Sequence, residues 1–406
     1  MELFRKKGLT REDRLAGARG ALLSQCITPA FVFDQGQLSN NLERLLGGVQ
    51  PLGCRVLYPL KSASWAPLLR WLAPRVDGFA VSSLFEARFA REVAGPQKAI
   101  HLTTPGLKEE DLEELGSLCD CIAFNSETQW ARLATRKFDR SSHGLRVNPQ
   151  LSMVNDNRYD PCRINSKLGV PLSRISELTT AKPRLFDELQ GLHFHTNCLS
   201  EDWSPLLLTV DRLRRWISPL LERASWINLG GGYLVDEETD FRPLAEAISI
   251  LSGQFGLQVF IEPGTGIINS AGSFVSRVID LFESDGKIVV ILDTTVNHMP
   301  EVFEYQFKPD VSNAVLDGLF KYVLAGCSCL AGDVFGEYAF EQPLEIGSTI
   351  VFANLGAYSL VKAHMFNGIN LPNIYSLSSS GELSLSKTFS YSDFTVRYKV
   401  DANEIN

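Results

Sequence analysis

The fold is decided by a repeating pattern that begins in CRVLYPLKSASWAPLLRWLAPRVDGFAVSSLFEARFAREVAG (54–95). Two short runs rich in β-branched and aromatic residues, RVLY (55–58) and GFAV (78–81), are each followed by a longer amphipathic stretch. The second stretch opens with Ser83 and Glu86 at capping-box spacing and stops at a glycine, which are helix start and stop signals. This alternation predicts βα units and a parallel sheet.

The same alternation continues to residue 264. Six further strand candidates follow: AIHL (99–102), CIAF (121–124), GLRV (144–147), GLHFH (191–195), WINLG (226–230) and VFIEP (259–263). Eight strands with intervening helices over about 210 residues predict a (β/α)8 TIM-like barrel. An open doubly wound sheet is the competing topology, and spacing alone does not exclude it.

The sequence changes character after the barrel region. The strand-like pieces SFVSRVIDL, KIVVILD, STIVFANLG and DFTVRYKV are separated by turns and predict a mostly antiparallel β domain. One more strand, ITPAFVFD (27–34), is predicted before the barrel. We therefore expect an N-terminal lead-in and strand (1–34) that packs with the β domain, a barrel (35–265) and a C-terminal β domain (266–406).

Composition and charge exclude several classes of protein. The 406 residues are 45% hydrophobic and 21% charged, as expected of a globular protein. A net charge of -8 argues against nucleic-acid binding, which needs a basic face. No apolar run approaches the roughly twenty residues of a membrane helix, and the charged N-terminus is unlike a secretory signal. We expect a cytoplasmic protein with no membrane partner.

Eight cysteines are scattered along the chain and are expected to be reduced in a cytoplasm. Two C-x-C pairs, Cys119/Cys121 and Cys327/Cys329, could suggest a zinc site. They lack the paired C-x-x-C knuckles that structural zinc prefers, so no metal site is predicted.

Polar side chains and glycines follow the predicted strands, where a barrel of this kind carries its reactive groups. They are Lys61, Ser82, Ser83, Thr104, Asn125, Asn148, His195, Gly230, Gly231, Gly232, Glu262 and Gly264. Each has an ordinary explanation on its own: a strand-end lysine, a tight turn, a buried neutral histidine or a turn-capping carboxylate. Together they supply what pyridoxal 5'-phosphate needs, namely an amine, a phosphate cradle, a planar stacking group and a carboxylate for the pyridine nitrogen.

Six short motifs contain or follow these groups: LYPLKS (57–62), HFH (193–195), NLGGG (228–232), EPG (262–264), CLAGD (329–333) and GAY (356–358). They resemble the alanine-racemase-like (fold III) decarboxylases, the family of ornithine, arginine and diaminopimelate decarboxylases. Longer segments are most similar to the carboxynorspermidine/carboxyspermidine decarboxylases within that family. These include DGFAVSSLFEAR (77–88), SKLGV (166–170), LDTTVNHMPEVFE (292–304) and FNGINLP (366–372).

The resemblance implies a carboxy-lyase that holds pyridoxal 5'-phosphate on Lys61 as a Schiff base. It implies that His195 stacks on the ring and that Glu262 pairs with the ring nitrogen, which makes the cofactor an electron sink. The phosphate is expected to be bound by backbone N–H groups and one hydroxyl, from Gly230, Gly231, Gly232, Gly264 and Tyr358.

The resemblance also implies a homodimer with shared active sites, in which Cys329 reaches the site from the partner subunit and protonates the α-carbon. Without the flanking LAGD, a small buried residue would be the preferred interpretation of Cys329. A carboxylated polyamine substrate, in polyamine or spermidine biosynthesis, carries distal ammonium groups, so its pocket should offer acidic and aromatic residues rather than an arginine clamp. The candidates for substrate contact are Asp333, Glu301, Glu337 and His298, the last open between substrate contact and packing.

Departures from the family pattern lie beside the expected site. They include Pro59-Leu60, Thr265-Gly266, and Gly326-Cys327-Ser328 where the family usually reads Gly-Pro-Thr. These departures leave open the decarboxylation of another N-substituted diamino acid in secondary metabolism. A non-catalytic regulatory homologue would have little reason to retain the lysine, histidine, glutamate and cysteine together. A racemase normally needs a second base and usually an arginine at the ring nitrogen, where this chain has Glu262.

Overall fold

Strands and helices alternate as far as residue 268, and strands dominate the rest of the chain. The computed structural model describes residues 20–399. Its strands are β1 (Ala30–Asp34), β2 (Arg55–Pro59), β3 (Gly78–Val81), β4 (Ala99–Thr103), β5 (Cys121–Phe124), β6 (Ser142–Asn148), β7 (Val170–Pro171), β8 (Gly191–His193), β9 (Trp226–Asn228), β10 (Gln258–Ile261), β11 (Gly272–Ser284), β12 (Lys287–Leu292), β13 (Phe320–Ala325), β14 (Val334–Phe340), β15 (Thr349–Phe352), β16 (Asn373–Leu377) and β17 (Leu383–Lys387).

The α-helices lie mostly between the barrel strands. They are α1 (Gln35–Val49), α2 (Ala66–Leu72), α3 (Leu84–Ala94), α4 (Leu112–Leu118), α5 (Glu127–Leu133), α6 (Leu172–Ala181), α7 (Ser204–Arg223), α8 (Arg242–Phe255), α9 (Gly264–Ile268), α10 (Glu301–Tyr305), α11 (Ser359–Lys362) and α12 (Tyr391–Thr395). Among the described residues, no helix combines the length and the apolar character that crossing a membrane requires.

The eight predicted barrel strands are all present, and every pairing between them is parallel. Their order is β5-β4-β3-β2-β10-β9-β8-β6, and β5 also pairs with β6, which closes the ring. At this closure Cys121 lies opposite Ser142, and Phe124 lies opposite Leu145. The closed ring confirms the (β/α)8 barrel and excludes the open doubly wound sheet. The barrel belongs to a compact unit made of residues 39–268.

Two helices begin where the sequence predicts, each just after a barrel strand. The Ser83 hydroxyl accepts the N–H of Glu86 at 3.2 Å, and the Glu86 carboxylate accepts the N–H of Ser82 at 2.7 Å. The Ser126 hydroxyl likewise accepts the N–H of Gln129 at 3.1 Å. These caps satisfy N–H groups that a first helical turn leaves unpaired, and they fix the starts of α3 and α5 at the C-terminal ends of β3 and β5.

Residues 20–38 and 269–399 form a second compact unit, built on a mixed sheet. The strand order is β14-β13-β12-β11-β1-β16-β17, and β15 also pairs with β11. Most pairings are antiparallel, as predicted, but β12 with β13 and β1 with β16 are parallel. The predicted strand before the barrel is β1, and its Ala30 lies opposite Val275 on one side and Asn373 on the other.

One predicted strand is wrong. The segment DFTVRYKV (393–400) has β-branched and aromatic residues, yet Tyr391–Thr395 form helix α12. Ser390 and Asp393 make a reciprocal capping box there, and this local hydrogen bonding outweighs a weak β-propensity. Residue 400 and residues 1–19 of the predicted lead-in lie outside the described residues.

Candidate active site

A cavity of about 440 Å³ opens within the unit of residues 39–268. Its walls include three of the predicted cofactor-binding side chains, Lys61, His195 and Glu262. Lys61 follows β2, His195 follows β8 and Glu262 follows β10. Because the strands of the barrel are parallel, their C-terminal ends meet at one face. The fold therefore gathers groups that are far apart in the sequence.

The carboxylate of Glu262 is buried and held by an asparagine. Asn228 Nδ2 donates to Glu262 Oε1 at 2.7 Å, and Asn228 Oδ1 accepts the N–H of Gly230 at 2.9 Å. The buried guanidinium of Arg146 is close enough to be attracted by Glu262, although burial lowers the pKa of Arg146 to about 10. A carboxylate in this setting can accept a hydrogen bond from a protonated ring nitrogen.

The two histidines of HFH are neutral at pH 7. Burial is the main reason that the pKa of each lies well below its usual value. The charge of Arg146 adds to this effect at His193, and the charge of Lys61 adds to it at His195. The N–H of Gly231 donates to His195 Nδ1 at 3.0 Å. This hydrogen bond leaves the ring proton on Nε2 and fixes the orientation of a flat, uncharged ring.

Close packing requires glycine at the turns after β9 and β10. A Cβ atom on Gly231 would lie 1.9 Å from the carbonyl oxygen of Glu262, and one on Gly264 would lie 1.9 Å from the Ser62 hydroxyl. That hydroxyl is buried and has no hydrogen-bond partner among residues 20–399. A buried, unpaired hydroxyl is unfavourable unless a ligand satisfies it. The turns thus leave donors and side-chain-free backbone where an anion can approach.

Gly232 differs from the other three predicted phosphate-binding glycines in the state of its N–H group. It has a φ of +93°, in the left-handed region, and a Cβ atom there would lie 2.1 Å from the carbonyl oxygen of Asn197. The N–H groups of Gly230, Gly231 and Gly264 already donate within the unit. Within the described chain, the N–H of Gly232 has no such acceptor. Of the four glycine N–H groups, that of Gly232 is therefore free to bind a ligand, and the other three already donate hydrogen bonds.

Several cations that the sequence analysis did not select also line this cavity: Arg146, Arg158, Arg163 and Lys167. The carboxylates in its lining are those of Asp160 and Glu262. The lining of the barrel cavity is therefore more basic than expected for a polyamine pocket, because β6 and the loop after it contribute cations that outnumber the two carboxylates. The sequence did contain a signal for this basic lining at Arg146, because an arginine inside the buried run GLRV needs a polar partner or a ligand.

Cys329 and Asp333 lie on one loop of the second unit, between β13 and β14. Cys329 is exposed in the single chain, and its N–H donates to Asn367 Oδ1 at 2.9 Å. Asp333 is buried; its Oδ1 accepts the N–H of Val296 at 2.7 Å, and its Oδ2 accepts the N–H of Ser328 at 2.9 Å. Both oxygens thus hold the loop that carries Cys329. Contact between Asp333 and a substrate amine stays a prediction.

Glu301 lies beside the GAY motif in the second unit. Its carboxylate accepts a hydrogen bond from the Ser359 hydroxyl at 3.3 Å and lies 3.3 Å from Nζ of Lys362. Tyr358, the residue before Ser359, is half-buried and has a φ of +68°. A tyrosine in the left-handed region is uncommon, and such strain concentrates at functional sites. Tyr358 and Glu301 are therefore neighbours of one short helix, α11.

Glu337 and His298 occupy different surroundings. Glu337 is exposed on β14 and forms an ion pair with Lys287. His298 is fully buried, with Nδ1 2.9 Å from the Thr294 hydroxyl, and burial lowers its pKa to about 4. Of the two roles left open for His298, packing is the one these contacts favour.

Comparison with known proteins assigns the family. Residues 37–269 match the family described as pyridoxal-dependent decarboxylase, pyridoxal binding domain. The chain is 32% identical to the carboxynorspermidine/carboxyspermidine decarboxylase of Campylobacter jejuni, over 91% of this chain and 98% of that protein. It is 34% identical to the carboxyaminopropylagmatine decarboxylase of Synechocystis sp., over 92% of this chain and 96% of that protein.

A solved structure agrees with these similarities. The crystal structure of carboxynorspermidine decarboxylase complexed with norspermidine, from Campylobacter jejuni, has a TM-score of 0.82 and 31% identity. The match covers 92% of this chain and 100% of that one. The chain belongs to the pyridoxal-dependent decarboxylases. It is a carboxy-lyase whose cofactor is pyridoxal 5'-phosphate, and the glycine turns, the unpaired Ser62 hydroxyl and the buried Glu262 fit that cofactor.

Proposed function

We propose that this decarboxylase removes the α-carboxylate of a carboxylated polyamine such as carboxynorspermidine or carboxyspermidine. The observation that carries the proposal is near full-length similarity to the Campylobacter jejuni enzyme. The gathering of Lys61, His195 and Glu262 around one cavity supports the chemistry. The reaction would take place in the cytoplasm and serve polyamine biosynthesis, including that of spermidine.

Residues of the barrel unit would bind and orient the cofactor. Pyridoxal 5'-phosphate supplies an electron sink for the electron pair left when carbon dioxide departs. Lys61 would hold the cofactor covalently, and His195 would lie against its ring. The carboxylate of Glu262 would accept a hydrogen bond from the protonated ring nitrogen. The phosphate would be bound by Gly230, Gly231, Gly232, Gly264 and the Tyr358 hydroxyl. The unengaged N–H of Gly232 makes it the strongest of these donors.

The charges divide the recognition of the substrate into two parts. Cations such as Arg146, Arg163 and Lys167 in the barrel cavity suit anionic groups, namely the cofactor phosphate and the substrate carboxylate. They would repel distal ammonium groups. We therefore assign amine recognition to the acidic residues of the second unit. Glu301 is the best candidate there, because it is only partly exposed and adjoins the motif that contains Tyr358.

We propose a homodimer in which Cys329 of one subunit serves the active site of the other. The thiol would donate its proton to the substrate α-carbon after carbon dioxide has left. The exposure of Cys329 in the single chain supports a role in which another chain receives it. Asp333 would act as a positioning residue, because its hydrogen bonds hold the loop that presents the thiol.

A screen of carbon dioxide release tests the substrate. It compares carboxynorspermidine, carboxyspermidine, carboxyaminopropylagmatine, diaminopimelate, ornithine, lysine and arginine. We expect the highest kcat/KM for the first two. A preference for carboxyaminopropylagmatine would identify the second candidate, which the similarity to the Synechocystis enzyme favours. Turnover of a simple amino acid alone would show that the substrate assignment is wrong, and no turnover of any compound would favour the non-catalytic homologue.

A further inference from the structure

We propose that Cys327 and Cys329 form a reversible disulfide that removes the Cys329 thiol and switches decarboxylation off. The effect on activity rests on the proposed role of Cys329 as proton donor. Formation of the disulfide does not, because it depends only on the loop between β13 and β14 and on an oxidant.

The loop places both thiols on its outer side. The chain bends at residues 327–329, and Cys327 and Cys329 are both exposed. The residue between them, Ser328, donates its N–H and its hydroxyl to the buried carboxylate of Asp333. The residue between the two cysteines is thus tied to the interior, while both cysteines are exposed in the single chain and the Cys327 sulfur is partly covered near Asp333.

The separation of the two backbones suits a disulfide. Two Cα atoms that are two residues apart lie at most about 7 Å from each other and closer at a bend, while disulfides bridge Cα separations of about 4.4–6.8 Å. Hydrogen bonds hold this bend: the N–H of Gly326 donates to the carbonyl oxygen of Asp333 at 2.8 Å, and the N–H of Cys327 donates to that of Thr294 at 2.8 Å. These hydrogen bonds fix the backbone at the start of the bend.

Most other thiols are out of reach of an oxidant. Among the described cysteines, Cys26, Cys54, Cys119, Cys121 and Cys162 are buried. Cys198 is partly buried and lines the barrel cavity, so it is the alternative partner for a Cys329 thiol that enters that cavity. A disulfide between Cys198 and Cys329, identified by peptide mass, would overturn the proposal.

The oxidant we assign is a low-molecular-weight disulfide such as glutathione disulfide. The Cys329 thiolate attacks one sulfur of the oxidant, and a glutathione thiolate leaves. Cys327 then attacks the Cys329 sulfur and expels the glutathione bound there. In total two protein thiols lose two protons and two electrons, and the S–S bond of the oxidant is reduced to two thiols.

The order of the two steps follows from the surroundings of Cys327. Burial, and then the negative charge of Asp333, raise the pKa of the Cys327 thiol, which makes it a poor first nucleophile. Once the sulfur of Cys329 carries glutathione as a leaving group, the second step is intramolecular, and this offsets the low thiolate fraction of Cys327. An exposed disulfide closed over so short a loop is readily reduced, as a reversible switch requires.

Redox titration of the holoenzyme dimer tests the proposal. The protein is equilibrated in buffers with a rising ratio of oxidised to reduced glutathione, after which carbon dioxide release and peptide masses are measured. We expect activity to fall by more than about tenfold while the peptide containing residues 327–329 loses two hydrogen atoms. Both changes should reverse with dithiothreitol. A glutathione adduct at Cys329 without an internal disulfide would overturn the proposal.

Two variants sharpen the test. Cys327→Ser can form only the mixed disulfide, so its inactivation should require a buffer more oxidising by about tenfold or more. Cys26→Ser, which removes a buried thiol of the same unit, should titrate like the wild type. An inactivation midpoint for Cys327→Ser equal to that of the wild type would count against the disulfide.

The failure of this inference can be told from the failure of the proposed function. If Cys329→Ala decarboxylates normally, Cys329 is not the proton donor. An internal disulfide that leaves the wild-type activity intact would also show that Cys329 is not the proton donor, and it would overturn the switch. If Cys329→Ala is impaired but no internal disulfide forms in the wild type, the proposed function stands and the switch alone is refuted.

Discussion

Asn228 donates a hydrogen bond of 2.7 Å from its side-chain amide to the carboxylate of Glu262, and the same amide accepts the N–H of Gly230. One asparagine thus connects the buried carboxylate to the glycine turn that follows β9. The two residues are 34 positions apart in the sequence. The contact makes the position of Glu262 depend on a neighbouring strand.

The first prediction concerns the charge of Glu262. In Glu262→Gln a neutral amide replaces the carboxylate, so the ring nitrogen loses the partner that stabilises its protonated form. We expect the cofactor to remain bound and kcat to fall by about a hundredfold. Asn228→Ala keeps the Glu262 charge but removes the hydrogen bond from Asn228, so its kcat should fall less than that of Glu262→Gln. Steady-state carbon dioxide release measures both, and wild-type kcat in Glu262→Gln would show that its assigned role is wrong.

The second prediction concerns Lys61. We expect the purified protein to absorb visible light because of its lysine-bound cofactor, and Lys61→Ala to lose that band and the activity. Lys182→Ala removes an exposed lysine of the same unit and should keep both. An unchanged spectrum in Lys61→Ala would refute the covalent attachment.

The third prediction concerns the thiol of Cys329. In Cys329→Ala carbon dioxide can still leave, but the carbanionic carbon loses its proton donor. We therefore expect kcat to drop by about a hundredfold, or the products to include some protonated at the wrong atom. Product analysis by mass spectrometry in heavy water distinguishes these results. A normal rate with the normal product would remove Cys329 from the mechanism.

The fourth prediction concerns the support of the Cys329 loop by Asp333. In Asp333→Ala the N–H groups of Val296 and Ser328 lose their acceptor, so we expect the free energy of unfolding to fall by roughly 3 kcal/mol. Glu337→Ala removes an exposed carboxylate of the same unit and should leave that free energy nearly unchanged. Urea denaturation measures both. Equal stabilities of the two variants would contradict the positioning role.

The fifth prediction concerns pH and the buried histidine His298. Its pKa in the folded protein is about 4, below the ordinary value near 6.5. Between these values the unfolded chain binds a proton that the folded protein does not. Its contribution to stability is therefore complete above pH 6.5 and is lost as the pH falls toward 4, at up to roughly 1.4 kcal/mol per pH unit.

Denaturation at pH 7, 6 and 5 provides the measurement. We expect stability to decline less steeply with falling pH in His298→Gln than in the wild type. His364→Gln removes a nearby charge that also lowers the pKa of His298, so its stability should decline slightly less steeply than that of the wild type and more steeply than that of His298→Gln. Parallel curves for all three proteins would show that His298 does not contribute to the acid sensitivity.

The sequence was sufficient for most of the fold because the barrel strands are short buried runs separated by amphipathic helices with local caps. Each such signal lies within a few residues, as at Ser83 and Ser126. The segment 393–400 shows the limit of this reasoning: its composition favours a strand, while the Ser390 cap begins a helix. The parallel pairing of β1 with β16 was also beyond local reasoning, since it joins the two ends of the chain.

The sequence by itself determined the eight βα units and the strand-end positions of Lys61, His195 and Glu262, because strand pattern and chain direction place those residues at one face. Closure of the sheet into a barrel was decided by the pairing of β5 with β6. Tertiary structure alone decided how each group is held and charged. Asn228 donates a hydrogen bond to Glu262, and Asp333 accepts hydrogen bonds from Val296 and from Ser328 of its own loop. Hydrogen-bond partners and burial come from residues distant in the chain, so no local pattern contains them.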